Sequence, residues 1–208
     1  MAKKAYLIGI GGTGARVLRS CLHLWAGGAS GLNGWELVPM LLDRDQSNGD
    51  LQRTTQLLAN YTQVQKTVQR GDREDQGFFY PRIKTFAQAV TDTTDSNENG
   101  ESAAAPAPAQ GGDFVFDWGL DAQMNNLEDV IDVHNLPQGT RMLMEMLYDN
   151  GEAEDERNHL RMPLDVGFKG APHVGAVALH QLSEAEQLEK LASNLEQDDR
   201  IFIISSTF

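Results

Sequence analysis

Ala5-Tyr6-Leu7-Ile8-Gly9-Ile10-Gly11-Gly12-Thr13-Gly14 is an apolar run that breaks into glycines, and Ala15 to Leu24 follows with Val17, Leu18, Cys21, Leu22 and Trp25 at helical spacing. The reading is strand, tight turn, helix. A turn without Cβ atoms lets backbone N–H groups and the N-terminus of the next helix converge on an anion. Gly11, Gly12, Thr13 and Gly14 are therefore the first candidate phosphate contacts, and Gly9, Gly11 and Gly14 have the spacing of the dinucleotide fingerprint. The competing explanation is that these glycines only let the helix pack close to the strand.

Working outward, Trp35 to Leu42 reads as a second strand with Asp43-Arg44-Asp45 at its carboxyl end, and Pro39 within it suggests an edge or a bulge. Leu51 to Val68 is Gln-rich with scattered apolar residues and is expected as a solvent-facing helix, and a short helix is expected around Ile83, Phe86, Ala87 and Val90. Thr91 to Asp113 has almost no large apolar residue, so about residues 91–113 are expected to be a disordered insertion. Met142, Leu143, Met146 and Leu147 recur at three and four within 138–149, which predicts an amphipathic helix whose methionines pack in a core. The acidic stretch 150–157 is expected to be solvated. A second glycine-rich loop, 167–175, precedes a helical stretch expected over 176–197, with a restart signalled by Ser183-Glu184-Ala185-Glu186. Arg200 to Ser205 is the last strand. Strands alternating with helices predict an α/β fold with a parallel sheet and helices on both faces.

Composition narrows the function. The chain has 208 residues and a formal net charge of -13, which argues against nucleic acid or an anionic membrane as partner, since both require a basic footprint. An acidic chain that holds a nucleotide must do so locally, through backbone dipoles. The single cysteine, Cys21, excludes an internal disulfide and a cysteine zinc site, and it is expected as core or interface filler. No apolar stretch reaches the length of a membrane span and no signal-peptide pattern opens the chain, so the cytosol is the expected compartment. The histidines show no metal-ligand spacing, and no metal site is expected; His173, in the second glycine loop, is the one with a functional context.

Asp43 and Asp45 discriminate among nucleotide folds. In a dehydrogenase an acid at this strand end would hold the ribose, but it should follow the glycines by about 20 residues and here follows by about 30. The same acids would suit a magnesium ion on a nucleotide phosphate. Asp43, Asp45, Asn48, Leu51 and Arg53 also resemble the stretch after the second strand of ubiquitin-activating-type adenylating enzymes, whose cysteine nucleophile has no counterpart in this chain.

The resemblance that accounts for both glycine loops is to the tubulin and FtsZ superfamily. AYLIGIGGTGARVL resembles its first strand and phosphate loop, LLDRDQ its second-strand end, Gly170-Ala171-Pro172-His173-Val174-Gly175 its Gly-Asn-Pro-Glu-Val-Gly loop, and Asp199 to Ser206 the strand that leads into its Gly-Gly-x-Thr-Gly signature. Divergent bacterial tubulin-like proteins are the relatives it points to. The resemblance implies a tubulin/FtsZ GTPase-type domain over 1–208, truncated before that signature. It implies GTP or GDP as ligand, magnesium as a candidate companion ion, and self-association into filaments with GTPase activity in a longer protein. The implied nucleotide contacts are Gly11, Gly12, Thr13, Gly14, Arg16, Asp45, Gly170, Ala171 and Pro172. Arg16 stands where such loops carry a small Asn. Catalytic residues are not assigned. The alternatives are an adenylating enzyme or an NAD-binding Rossmann domain.

Overall fold

The computed structural model describes residues 3–29, 34–45, 47–68, 78–79, 81–91, 109–116, 125–148, 158–165, 167–168, 170–180 and 185–206. The expected insertion falls mostly outside them, except that a helix reaches Thr91 and residues 111–114 form a 3-10 turn whose Phe114 is buried in a core. All of the acidic stretch 150–157 falls outside the described residues. Two compact units are present: residues 1–43, 47–116 and 190–206 form the first, and 44–46, 117–189 and 207–208 the second.

In the first unit, β1 (Lys3–Ile10), β2 (Trp35–Leu42), β3 (Arg82–Ile83) and β4 (Arg200–Ile204) form one sheet in the order β3-β2-β1-β4, every pair parallel. The α/β fold with a parallel sheet is thus observed. Between β1 and β2 runs α1 (Gly11–Ala26), and α2 (Gly49–Val68) and α3 (Phe86–Thr91) flank β3. Ala5 and Leu7 of β1, with Leu37 and Leu41 of β2, pack against Ala15, Leu18, Leu22 and Trp25 of α1 and Leu51, Leu58 and Tyr61 of α2. Alternate residues point the other way. On that face Lys4, almost fully buried, donates from Nζ to the carbonyl of Ala89 in α3 at 3.1 Å.

Two expectations change here. The Gln-rich helix does not face solvent all round: α2 buries Leu51, Thr54, Leu58, Tyr61, Thr62 and Gln65. Its buried polar residues are bonded, Thr54 Oγ1 to the Ala15 carbonyl at 3.0 Å and Gln65 Nε2 to the Phe79 carbonyl at 3.1 Å, so polar composition hid a core face. Pro39 lies within the interior strand β2 with no bulge, paired in register with Leu7. The carbonyls of Leu37 and Leu41 accept from Lys84 and Phe116 on the β3 side. Pro39, midway between them, turns its missing N–H to that same side, past the end of two-residue β3, where no ladder bond is forfeited.

The second unit has its own core. Leu127, Val130 and Val133 pack with Leu160, Met162, Leu164, Ala171, Val174 and Ala178. Its helices are α4 (Leu127–Val130), α5 (Gln138–Tyr148) and α6 (Pro172–His180), and α7 (Glu186–Asn194) follows. The helical stretch expected over 176–197 is therefore divided and begins earlier, because Pro172 fits the first helical position, where its missing N–H costs nothing. The methionine row of α5 is not core: Met142, Leu143, Met146 and Leu147 are 55%, 60%, 78% and 71% exposed. Among the described residues no helix is long and apolar enough to cross a membrane.

Candidate functional site

The glycine turn is the first turn of α1 itself. The helix begins at Gly11, directly after β1, with φ +66° at Gly11, a conformation that favours glycine. Its N-cap, Ile10, offers no side-chain acceptor, and the first turn holds no acidic residue. The N–H groups of that turn are therefore left uncapped by the preceding residue, and the helix dipole adds partial positive charge there.

The sheet places this turn. Strand β2 lies on one side of β1 and β4 on the other, so the carboxyl end of β1 is where the strand order reverses. In open parallel sheets the crevice outside the carboxyl ends at such a reversal is where ligands bind. Close packing and backbone conformation are different jobs for different glycines. A Cβ on Gly14 would stand 2.6 Å from both the Gly9 carbonyl carbon and the Ile204 carbonyl oxygen, so Gly14 serves the approach of helix to strands. Gly11, with nothing within 4 Å of an added Cβ, serves the backbone conformation.

Around the turn the side chains form a connected polar set. Asn48 stands over Gly12, its Nδ2 3.0 Å from where a Cβ would be. That amide donates to Asp43 Oδ2 at 2.9 Å, and Asn48 Oδ1 accepts the backbone N–H of Asp50 at 2.9 Å. Asp50 meets three arginines: Arg19 at 3.0 Å, Arg16 at 3.6 Å and Arg53 at 3.8 Å. Arg16, 59% exposed in its side chain, also donates to Thr13 Oγ1 at 3.3 Å. Asn48 was visible in the sequence only within the adenylating-enzyme pattern. A better signal was local, because an Asn just ahead of Gly49-Asp50-Leu51 has the position of a helix-capping residue.

Gly11, Gly12, Thr13, Gly14 and Arg16 are thus brought together in the first unit. Asp45, Gly170, Ala171 and Pro172 belong to the second unit. There Gly167 and Gly170 take φ of +79° and +80°, the Ala171 N–H donates to the Phe168 carbonyl at 2.7 Å, and α6 starts at Pro172. A Cβ on Gly175 would meet the Phe168 ring at 2.9 Å, so this glycine is a packing residue. His173 is the second residue of α6 and meets His159. Cys21 packs half-buried against the first core, as filler, and burial pushes its thiol pKa up, which does not suit a nucleophile.

Fold and turn together define the class: an α/β protein with a parallel sheet and a glycine-rich helix start at the point where its strand order reverses. Comparison with models of protein families, with curated proteins and with solved structures returns no match.

Proposed function

We propose that the first unit binds a nucleotide by its phosphates, and that the nucleotide is a guanine nucleotide held in a tubulin/FtsZ-like manner. The observation that carries the phosphate reading is the start of α1 at Gly11, with no side-chain cap from Ile10 and no acidic residue in its first turn, at the carboxyl end of β1 beside the strand reversal. The N–H groups of Gly11 to Gly14 are the donors. Thr13 and Arg16 stand beside them with a hydroxyl and a cation. The choice of guanine, with self-assembly and GTP hydrolysis, rests on the sequence resemblance. Magnesium would be met by Asp43, whose Oδ2 already takes the Asn48 amide.

A second reading is favoured by a specific observation. The order β3-β2-β1-β4 with the glycine turn after β1 is also how a dinucleotide-binding half-sheet begins. An adenine nucleotide or NAD is then the ligand.

One experiment separates them: thermal shift and calorimetric binding of GTP, ATP and NAD with magnesium, with Gly12→Asp as the variant that sets a carboxylate against the turn. GTP-selective stabilisation abolished by Gly12→Asp supports the first reading. Selective ATP or NAD binding supports the second, and no binding of any of the three, by a folded chain, refutes both.

A further inference from the structure

His159 and His173 are 14 residues apart in the chain, yet within the second unit their rings face each other, His173 Nε2 lying 2.7 Å from His159 Nδ1. The ring centroids are 4.4 Å apart and the planes cross at 62°. Tyr148 holds both partners. Its ring stacks on His173 at 5.8 Å and 25°, and its carbonyl accepts the backbone N–H of His159 at 3.1 Å. A contact this short needs a lone pair on at least one of the facing nitrogens. Such a ring-nitrogen lone pair is what ligates a metal ion.

We infer that His159 and His173 form a two-histidine chelate for a divalent transition-metal ion of the zinc or nickel kind, with water in the remaining positions. Two imidazole nitrogens bound at about 2.0–2.1 Å to one tetrahedral ion stand about 3.3 Å apart, which a small opening of this pair reaches. His173 lies at the surface and His159 is half-buried, so the opening disturbs little packing. The proton now between the rings moves to the other nitrogen of the same ring, a change of tautomer without change of charge; a proton shared by a cationic pair is released to solvent. Imidazole nitrogen discriminates against magnesium, which takes oxygen ligands. Among the described residues no cluster of three or more His, Cys, Asp or Glu is present, and the two imidazoles are the ligands the proposal names. Sequence spacing did not show this pair, because a 14-residue separation is neither a helical repeat nor a short metal-binding loop.

The test is calorimetric titration of the whole chain with zinc and nickel chlorides, and with magnesium chloride as comparator, in buffer without nucleotide, so that the outcome is separate from the nucleotide proposal. One zinc ion per chain is expected, with affinity reduced by at least about tenfold in His159→Gln and in His173→Gln. Affinity is unchanged in His180→Gln, and magnesium does not compete. Undiminished zinc affinity in both pair variants overturns the assignment. Should either variant fail to fold, nitrogen-15 imidazole spectra of the unaltered protein decide: the first equivalent of zinc shifts His159 and His173 together, whereas prior movement of His23, His134 or His180 refutes the site.

Discussion

Gly14 packs against Gly9 with no room for a side-chain atom between them: a Cβ on Gly14 would lie 2.6 Å from the Gly9 carbonyl carbon and 2.8 Å from its Cα. Both obstacles are backbone, and Ile204 closes the third side, so nothing can swing away. Gly14→Ala is expected to push α1 off β1 and β4 and to destabilise the first unit by about 3 kcal/mol, the upper end for overpacking. Gly12→Ala is expected to keep the fold, because its nearest neighbour is the end of the Asn48 side chain at 3.0 Å. Urea unfolding of the two variants side by side tests the contrast, and equal losses would contradict it.

Tyr6 and Tyr61, both fully buried in the first unit, differ in one bond. Tyr61 donates its hydroxyl to the Pro81 carbonyl at 3.2 Å, whereas the Tyr6 hydroxyl has no partner among the described residues. An unmade buried hydrogen bond costs more than a made one contributes, so Tyr6→Phe is expected to stabilise by about 1 kcal/mol and Tyr61→Phe to destabilise by about 1 kcal/mol. Opposite shifts in the denaturation midpoint are the observation that checks this.

Alkaline stability follows from the same residue. Burial, with Asp199, Glu196 and Glu36 adding negative charge, pushes the Tyr6 pKa up from 10.0 to about 12. Burial raises that of Tyr61 also. Between these values the unfolded chain has lost the proton that the folded chain keeps. The stabilisation is therefore complete below pH 10 and is lost as pH rises towards about 12. Tyr6→Phe is expected to shallow the fall in melting temperature over that window, and an unaltered slope would argue against a raised Tyr6.

How much of this was legible depends on what each residue type can signal. The β1 to α1 passage was readable because apolar strand, glycines and helical spacing all point one way. The polar sequence of α2 signals a solvent-facing helix, yet its core face includes Thr54 and Gln65, which bond to the distant carbonyls of Ala15 and Phe79, and Thr62, whose hydroxyl bonds to the Ala59 carbonyl within the helix. Methionines at helical spacing fit a core or a surface equally, and α5 took the surface. Strand Pro39 suggested an edge in β2, and the backbone is edge-like only on its β3 side. In the candidate site the glycines announced themselves. Asn48 did not, since its station over Gly12 exists only once β2 and α2 are folded.

Asp50 gathers Arg19, Arg16 and Arg53 at the start of α2, where its charge also suits the helix dipole. Its side chain is 23% exposed and that of Arg19 25%, so this is a partly shielded network rather than an isolated surface pair. Asp50→Asn is expected to cost about 1 kcal/mol, less at high salt because the ion pairs are screened. The backbone bond from Asp50 N to Asn48 survives in that variant, so the loss reports charge and not capping.

The exposure of the α5 methionine row makes the last prediction sharp. Met146→Gln and Leu147→Gln replace side chains that are 78% and 71% exposed, and each is expected to change stability by no more than about 0.5 kcal/mol. Leu164→Ala, at a position 1% exposed within the second core, is expected to cost about 3 kcal/mol. If the row were packed, as its periodicity alone suggests, the Gln variants would instead cost as much as the core variant, because a polar amide would then be buried in apolar surroundings. Thermal unfolding of the three variants decides between the alternatives.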